Sequence, residues 1–104
     1  MHNLRIGQLW TFNQSNDELL LQILRIDKMK NEEIIHIAII SKDGDVSIEH
    51  IPFSKHAIEK SILKLVGNKE VNKQYLDGYH YWKTAYYDNK AGIYSIGVDE
   101  AINL

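Results

Sequence analysis

The chain has 104 residues, 44% of them hydrophobic, which suffices for one domain with an adequate core and leaves no room for a second. A formal net charge of −2 and a pI near 6.2 argue against a nucleic-acid binder, which would gather a basic surplus on one face. The absence of cysteine removes disulfides and thiolate metal sites, and neither a secretion signal nor a run of roughly 18 apolar residues is present, so the expectation is a cytoplasmic protein with no membrane partner.

In chain order, Leu4, Ile6, Trp10 and Phe12 fall on alternate positions, broken only by Gln8, and predict a first strand ending at the polar turn Asn13-Gln14-Ser15-Asn16-Asp17. Residues 18–27 and 33–41 are apolar at both odd and even positions, so these two strands should be central, with both faces covered. The link Lys28-Met29-Lys30-Asn31-Glu32 suits a hairpin loop, and Asp43-Gly44 signals a second hairpin that returns residues 46–51 antiparallel to the third strand. The sole proline, Pro52, stands where apolar period two gives way to a period near 3.6, so a strand runs into a helix there. Ser54 is the expected N-cap, Ile58, Ile62 and Leu65 the buried stripe, and Gly67-Asn68 the stop.

A second helix is predicted over residues 72–87, with Tyr75, Tyr79, Trp82 and Tyr86 sharing one face. Gly78 costs about 1 kcal/mol relative to alanine inside it, which favours a start at or after that residue. A final strand over 93–98 and a terminal helical turn capped by Asp99 complete the order ββββααβ. The expected fold is a single α+β domain over residues 1–104, an antiparallel sheet of four to five strands with helices on at least one face.

Five histidines are the first candidates for chemistry, but none pairs in a metal-ligand spacing, and no metal, cofactor, nucleophile motif or phosphate-binding loop is expected. Pairing arithmetic leaves two relations open. A two-residue turn at Asp43-Gly44 sends His36 and His50 to opposite faces of the sheet, whereas a three-residue loop sets them directly opposite each other. His50, Ser54 and His56, beside Glu49, form the most enzyme-like grouping and define an alternative ligand or catalytic corner. Against it stands a plain reading in which Ser54 caps the helix, His56 lies on its exposed first turn and His50 serves the strand-to-helix joint.

Five tyrosines and one tryptophan fall in residues 75–87. Tyr79, Trp82 and Tyr86 are expected in the core, while His80, Tyr81 and Tyr87 point away from it and suit a protein interface. Asp17, Glu18, Glu32, Glu33, Asp43, Asp45 and Glu49 crowd the loops of the strand half, as solvated charges or as a rim for a cationic partner.

His50-Ile51-Pro52-Phe53-Ser54, Gly78-Tyr79-x-x-Trp82, Lys90-Ala91-Gly92-Ile93 and Val98-x-Glu100-Ala101-Ile102 resemble a set of small bacterial proteins over the C-terminal half of the chain. In size, mild acidity and lack of cysteine the chain also resembles the immunity proteins of contact-dependent growth inhibition. That resemblance implies a cytosolic inhibitor without catalysis of its own, whose partner is a cognate toxin domain, many such toxins being nucleases. It transfers no residue motif. The binding residues expected from the residues themselves are Asp43, Asp45, Glu49, Tyr81 and Tyr87, the charges aiding encounter and the aromatics slowing dissociation. A third reading is a homodimer, because the two central strands want cover on both faces.

Overall fold

A computed structural model describes residues 3–13, 18–29 and 31–103. Residues 14–17 of the first predicted turn, Lys30 of the first hairpin link and the terminal Leu104 lie outside the described residues. The fold is α+β, built on a five-stranded antiparallel sheet in the order β4-β3-β2-β1-β5. The strands are β1 (Gln8–Phe12), β2 (Leu19–Lys28), β3 (Glu33–Ser41), β4 (Val46–Ser54) and β5 (Ile62–Asn68), with helices α1 (Lys55–Ser61), α2 (Leu76–Tyr87) and α3 (Val98–Ile102).

β2 and β3 are central, as their two apolar faces require. On one face Leu21, Ile23, Ile35, Ile37 and Ile39 pack with Phe53, with Ala57 and Ile58 of α1, and with Val98 and Ala101 of α3. On the other, Leu20, Leu24, Ala38 and Ile40 are met by Val71, Tyr75 and Leu76, at the approach to α2 and its first residue. Helices therefore cover both faces.

β1 begins at Gln8, four residues later than the alternation of apolar residues predicts. Gly7 has φ +96°, a backbone that turns the chain before pairing starts, and Ile6 is left 47% exposed. Gln8, which interrupts the apolar alternation, is buried and hydrogen-bonded at both atoms of its amide. Its Oε1 accepts from Trp10 Nε1 at 3.1 Å and from the Arg5 amide at 2.9 Å, and its Nε2 donates to the Asn3 carbonyl at 3.0 Å.

The largest departure from expectation is at residues 62–68. α1 ends at Ser61, and Ile62–Asn68 forms β5, paired antiparallel with β1, in place of the last two turns of a longer helix. Ile58, Ile62 and Leu65 fit a helical stripe, but I-L-K-L-V is equally good strand material. The unpaired backbone of β1 decides between them, since only a strand satisfies it along its length. Ile62 stays buried while Leu63 and Leu65 become 60% and 47% exposed. A second departure follows at residues 93–98, where only Tyr94 pairs, in a parallel bridge to Phe53, donating its N–H to the Pro52 carbonyl and accepting from the Ser54 N–H. Proline has no N–H to offer a full ladder, and the segment leaves β4 after one residue.

Two caps hold the helical layer. Ser54 Oγ accepts from the Ala57 amide at 3.1 Å, as predicted for the strand-to-helix joint. The N-cap of α3 is Gly97 and not Asp99, which sits inside the first turn. The Val98 amide, one of the first-turn N–H groups without a partner inside the helix, is met by Ser61 Oγ at 3.0 Å, and that hydroxyl donates to the Ala57 carbonyl at 2.7 Å. One buried serine thus ties α1 to α3.

α2 starts ahead of Gly78, following a 3-10 turn at Lys73–Tyr75. Glycine is needed there because a Cβ at residue 78 would stand 3.0 Å from His50 Cβ on β4. Strand geometry holds the His50 Cβ in place, so a methyl group would have to push the helix outward. Gly78→Ala should therefore lower the melting temperature despite a helix-propensity gain of about 1 kcal/mol. Gly92→Ala, in a loop with nothing within 4 Å of the new methyl, should leave it nearly unchanged. Thermal unfolding of the two variants beside the parent checks this.

Candidate functional site

The packed space between α2 and the β2-β3-β4 half of the sheet holds a chain of polar side chains. Its centre is His36, on β3, which is fully buried. His36 Nε2 lies 3.1 Å from Asp27 Oδ2 of β2, and His36 Nδ1 lies 2.9 Å from His50 Nε2 of β4. Both oxygens of Asp27 are 3.0 Å from the Tyr79 hydroxyl, which itself accepts from Lys83 Nζ at 3.2 Å. The Asp27 carboxylate requires a proton on His36 Nε2, so His36 Nδ1 is a lone pair and His50 Nε2 must donate to it. Every hydrogen in the chain Lys83–Tyr79–Asp27–His36–His50 is thereby assigned a direction.

Neither placement given by the simple hairpin arithmetic is realised. The hairpin is closed by a three-residue loop, with the Ser41 amide donating to the Asp45 carbonyl at 2.7 Å and Gly44 at φ +97°. Ile40 faces Val46, but the ladder then slips twice, each slip adding one residue on β4, so that His36 faces Pro52. An even number of extra residues restores the side-chain parity. His36 and His50 end on the same face as diagonal neighbours, their rings stacked at 5.1 Å and 19°.

The aromatic stripe seals the chain from above. Tyr79 and Trp82 are buried and meet His36 edge-on at 4.6 and 4.7 Å, and Tyr86 stacks on Trp82 at 4.8 Å. Trp82 Nε1 donates to the Gly92 carbonyl at 2.8 Å, which pins the following loop. Burial lowers the pKa of His36 to about 4, against the pull of the Asp27 carboxylate, and burial with the neighbouring His36 lowers that of His50 to about 4. Burial raises the Tyr79 hydroxyl, and the hydrogen bond to Tyr79 raises Lys83. Both imidazoles are neutral at pH 7.

The corner of His50, Ser54 and His56 does not converge. His50 and Ser54 are four residues apart on one strand, about 13 Å at the usual rise. Ser54 Oγ is engaged by the Ala57 amide, His56 is exposed on α1, and His50 turns under α2 to His36. Grooves of about 510 Å³, floored by Leu4, Ile26 and Ile35, and of about 330 Å³, between Arg25 and Leu76, include none of the three. Among the described residues no group of three His, Cys, Asp or Glu side chains can hold a metal ion, and His36 points its two nitrogens at different partners.

Asp43, Asp45 and Glu49 are exposed on the β3–β4 loop and on β4, an edge strand. Tyr81 and Tyr87 are 81% and 65% exposed on α2. The two sets lie on different elements, the acidic residues on the β4 edge and its loop and the tyrosines on α2. His50 of β4 meets Gly78 of α2, so the edge strand and the helix are in contact there. Asp27 and Lys83 went unnoticed in the sequence, though each left a trace. Asp27 is a carboxylate inside an otherwise two-faced apolar strand, and Tyr79 and Lys83 are spaced i, i+4.

Comparisons with family models, curated proteins and solved structures gave no match. Among the described residues no helix is long and apolar enough to cross a membrane.

Asp27→Ala leaves the buried His36 Nε2–H and the Tyr79 hydroxyl without an acceptor, and should cost about 3 kcal/mol of folding free energy. Tyr79→Phe removes one donor and should cost about 1 kcal/mol. Urea denaturation of both variants measures the difference.

Proposed function

We propose that this chain is an immunity protein that binds a cognate bacterial toxin domain, a nuclease, and neutralises it by covering its active site. The observation that carries the reading is the pair of large tyrosine side chains, Tyr81 and Tyr87, left 81% and 65% exposed on α2 in a chain whose β4 edge and loop also expose the carboxylates Asp43, Asp45 and Glu49. A nuclease site is built to hold phosphates and presents positive charge. An acidic edge accelerates encounter with such a site, and partly exposed tyrosines provide area that is buried at small entropic cost. The polar chain beneath α2 supports the same reading from below, because a surface offered by one helix works only if that helix is held in place.

No catalytic role is assigned to the His36–His50 pair. It is covered by Tyr79 and Trp82 and sends its donors inward. The surroundings expected for this reading are cytoplasmic, and neither a cofactor nor a nucleic acid takes part in it.

The test is co-purification of the tagged protein with products of neighbouring genes, then expression of the retained partner alone and with this chain. A toxic partner whose host recovers when this chain is present supports the proposal; absence of any retained toxic partner defeats it. Asp43→Lys with Asp45→Lys should slow association at low salt by about tenfold or more. Tyr81→Ala should act on the dissociation rate, weakening binding by roughly 10- to 100-fold if Tyr81 lies at the centre of the interface. Surface-plasmon kinetics at two salt concentrations separate the effects.

A further inference from the structure

We propose that His36 and His50 form an acid-operated latch, a two-proton switch that releases α2 from the sheet while the strands remain paired. In the closed form a second proton is disfavoured on either imidazole. His36 Nδ1 is the atom that accepts from His50 Nε2 at 2.9 Å, so a proton there sets two N–H groups against each other. His50 Nδ1 lies under α2, 3.7 Å from the position a Cβ on Gly78 would take, so a proton there places a charge against the helix backbone. Lifting α2 removes Tyr79 and Trp82 from His36 and Gly78 from His50, so that the buried His36 ring gains water and the half-buried His50 ring is fully freed, and each takes a proton readily.

The groups that face the pair come from every neighbouring element. β2 contributes Asp27, which holds His36, and Arg25, opposite His36 in the ladder, whose guanidinium donates to the Leu24 carbonyl at 3.0 Å. β4 contributes Glu49, exposed beside His50. α2 contributes Tyr79 and Lys83 from its inner side, with Asp77 and His80 exposed on its outer side. Among the charged groups of the described residues only Asp27 bonds directly to the pair, and it bonds to the nitrogen of His36 that already carries hydrogen, so it stabilises the closed tautomer at neutral pH.

The sign follows from the lowered values. Both histidines titrate at about 4 when closed and near their ordinary 6.5 when exposed. The open form therefore binds more protons between those limits. Closure is complete above pH 6.5 and is lost progressively as pH falls toward 4, by up to about 100-fold per pH unit for two protons and tenfold for one. The latch concerns α2 and the sheet alone, and needs no partner to operate.

Amide hydrogen exchange of the intact chain between pH 7 and 4.5, corrected for the intrinsic pH dependence of exchange, tests it. Protection of the α2 amides should fall ahead of the β3 amides, with a two-proton slope that drops to one in His50→Gln. Loss of α2 and β3 protection together, or an unchanged slope in the variant, overturns the latch. Should His50→Gln fail to fold, ¹⁵N imidazole spectra of the parent decide the matter. Two neutral rings protonated at Nε2 at pH 6 support the proposal, and a charged His36 or His50 at that pH overturns it.

Discussion

The organisation of this protein depends on one buried imidazole with both nitrogens committed. His36 receives no water, so Asp27 on one neighbouring strand and His50 on the other must supply its acceptor and its donor. That requirement locks the relative positions of β2, β3 and β4, and through Tyr79 it extends to α2. A purely apolar face would tolerate a sliding helix. A chain of directed hydrogen bonds does not, because a shift of an ångström leaves several buried polar groups without partners at once.

Around that centre the two faces of the sheet are closed by different means. The α1–α3 face is an apolar core of isoleucines and Phe53, with Ser61 as a buried polar tie between the helices. The α2 face combines a small apolar cluster of Leu20, Leu24, Ala38 and Ile40 with the polar chain and its aromatic lid. Dispersion and hydrophobic burial supply the bulk of the stability on the first face. On the second, part of that is exchanged for orientation, which fixes α2 with Tyr81 and Tyr87 facing outward. The same exchange makes the second face the one that acid can open.

Much of the candidate site was legible as material and little of it as geometry. Of the inward set Tyr79, Trp82 and Tyr86 expected from helical spacing, the first two are buried and Tyr86 is half-buried where the stripe runs out over Trp82, while the outward set His80, Tyr81 and Tyr87 is exposed. Asp43, Asp45 and Glu49 are exposed as loop and edge charges should be. The grouping of His50 with Ser54 and His56 rested on nearness along the chain, and an extended strand is the conformation in which such nearness carries least. Asp27, 23 residues before His50 in the numbering and two strands away, belongs to the same chain of contacts that no local window contains.

By itself the sequence determined the α+β class, the central position of β2 and β3, the capped joint at Ser54 and the aromatic stripe of α2. Each rests on local periodicity or on a single residue's backbone chemistry. Tertiary structure alone decided that residues 62–68 leave the helix to pair with β1, that Tyr94 makes one bridge in place of a strand, and that His36 meets His50. The physical reason is common to all three. An open strand edge, a proline without a donor and a pair of ladder slips take effect only once distant segments are side by side, and their energies outweigh the small local preferences written along the chain.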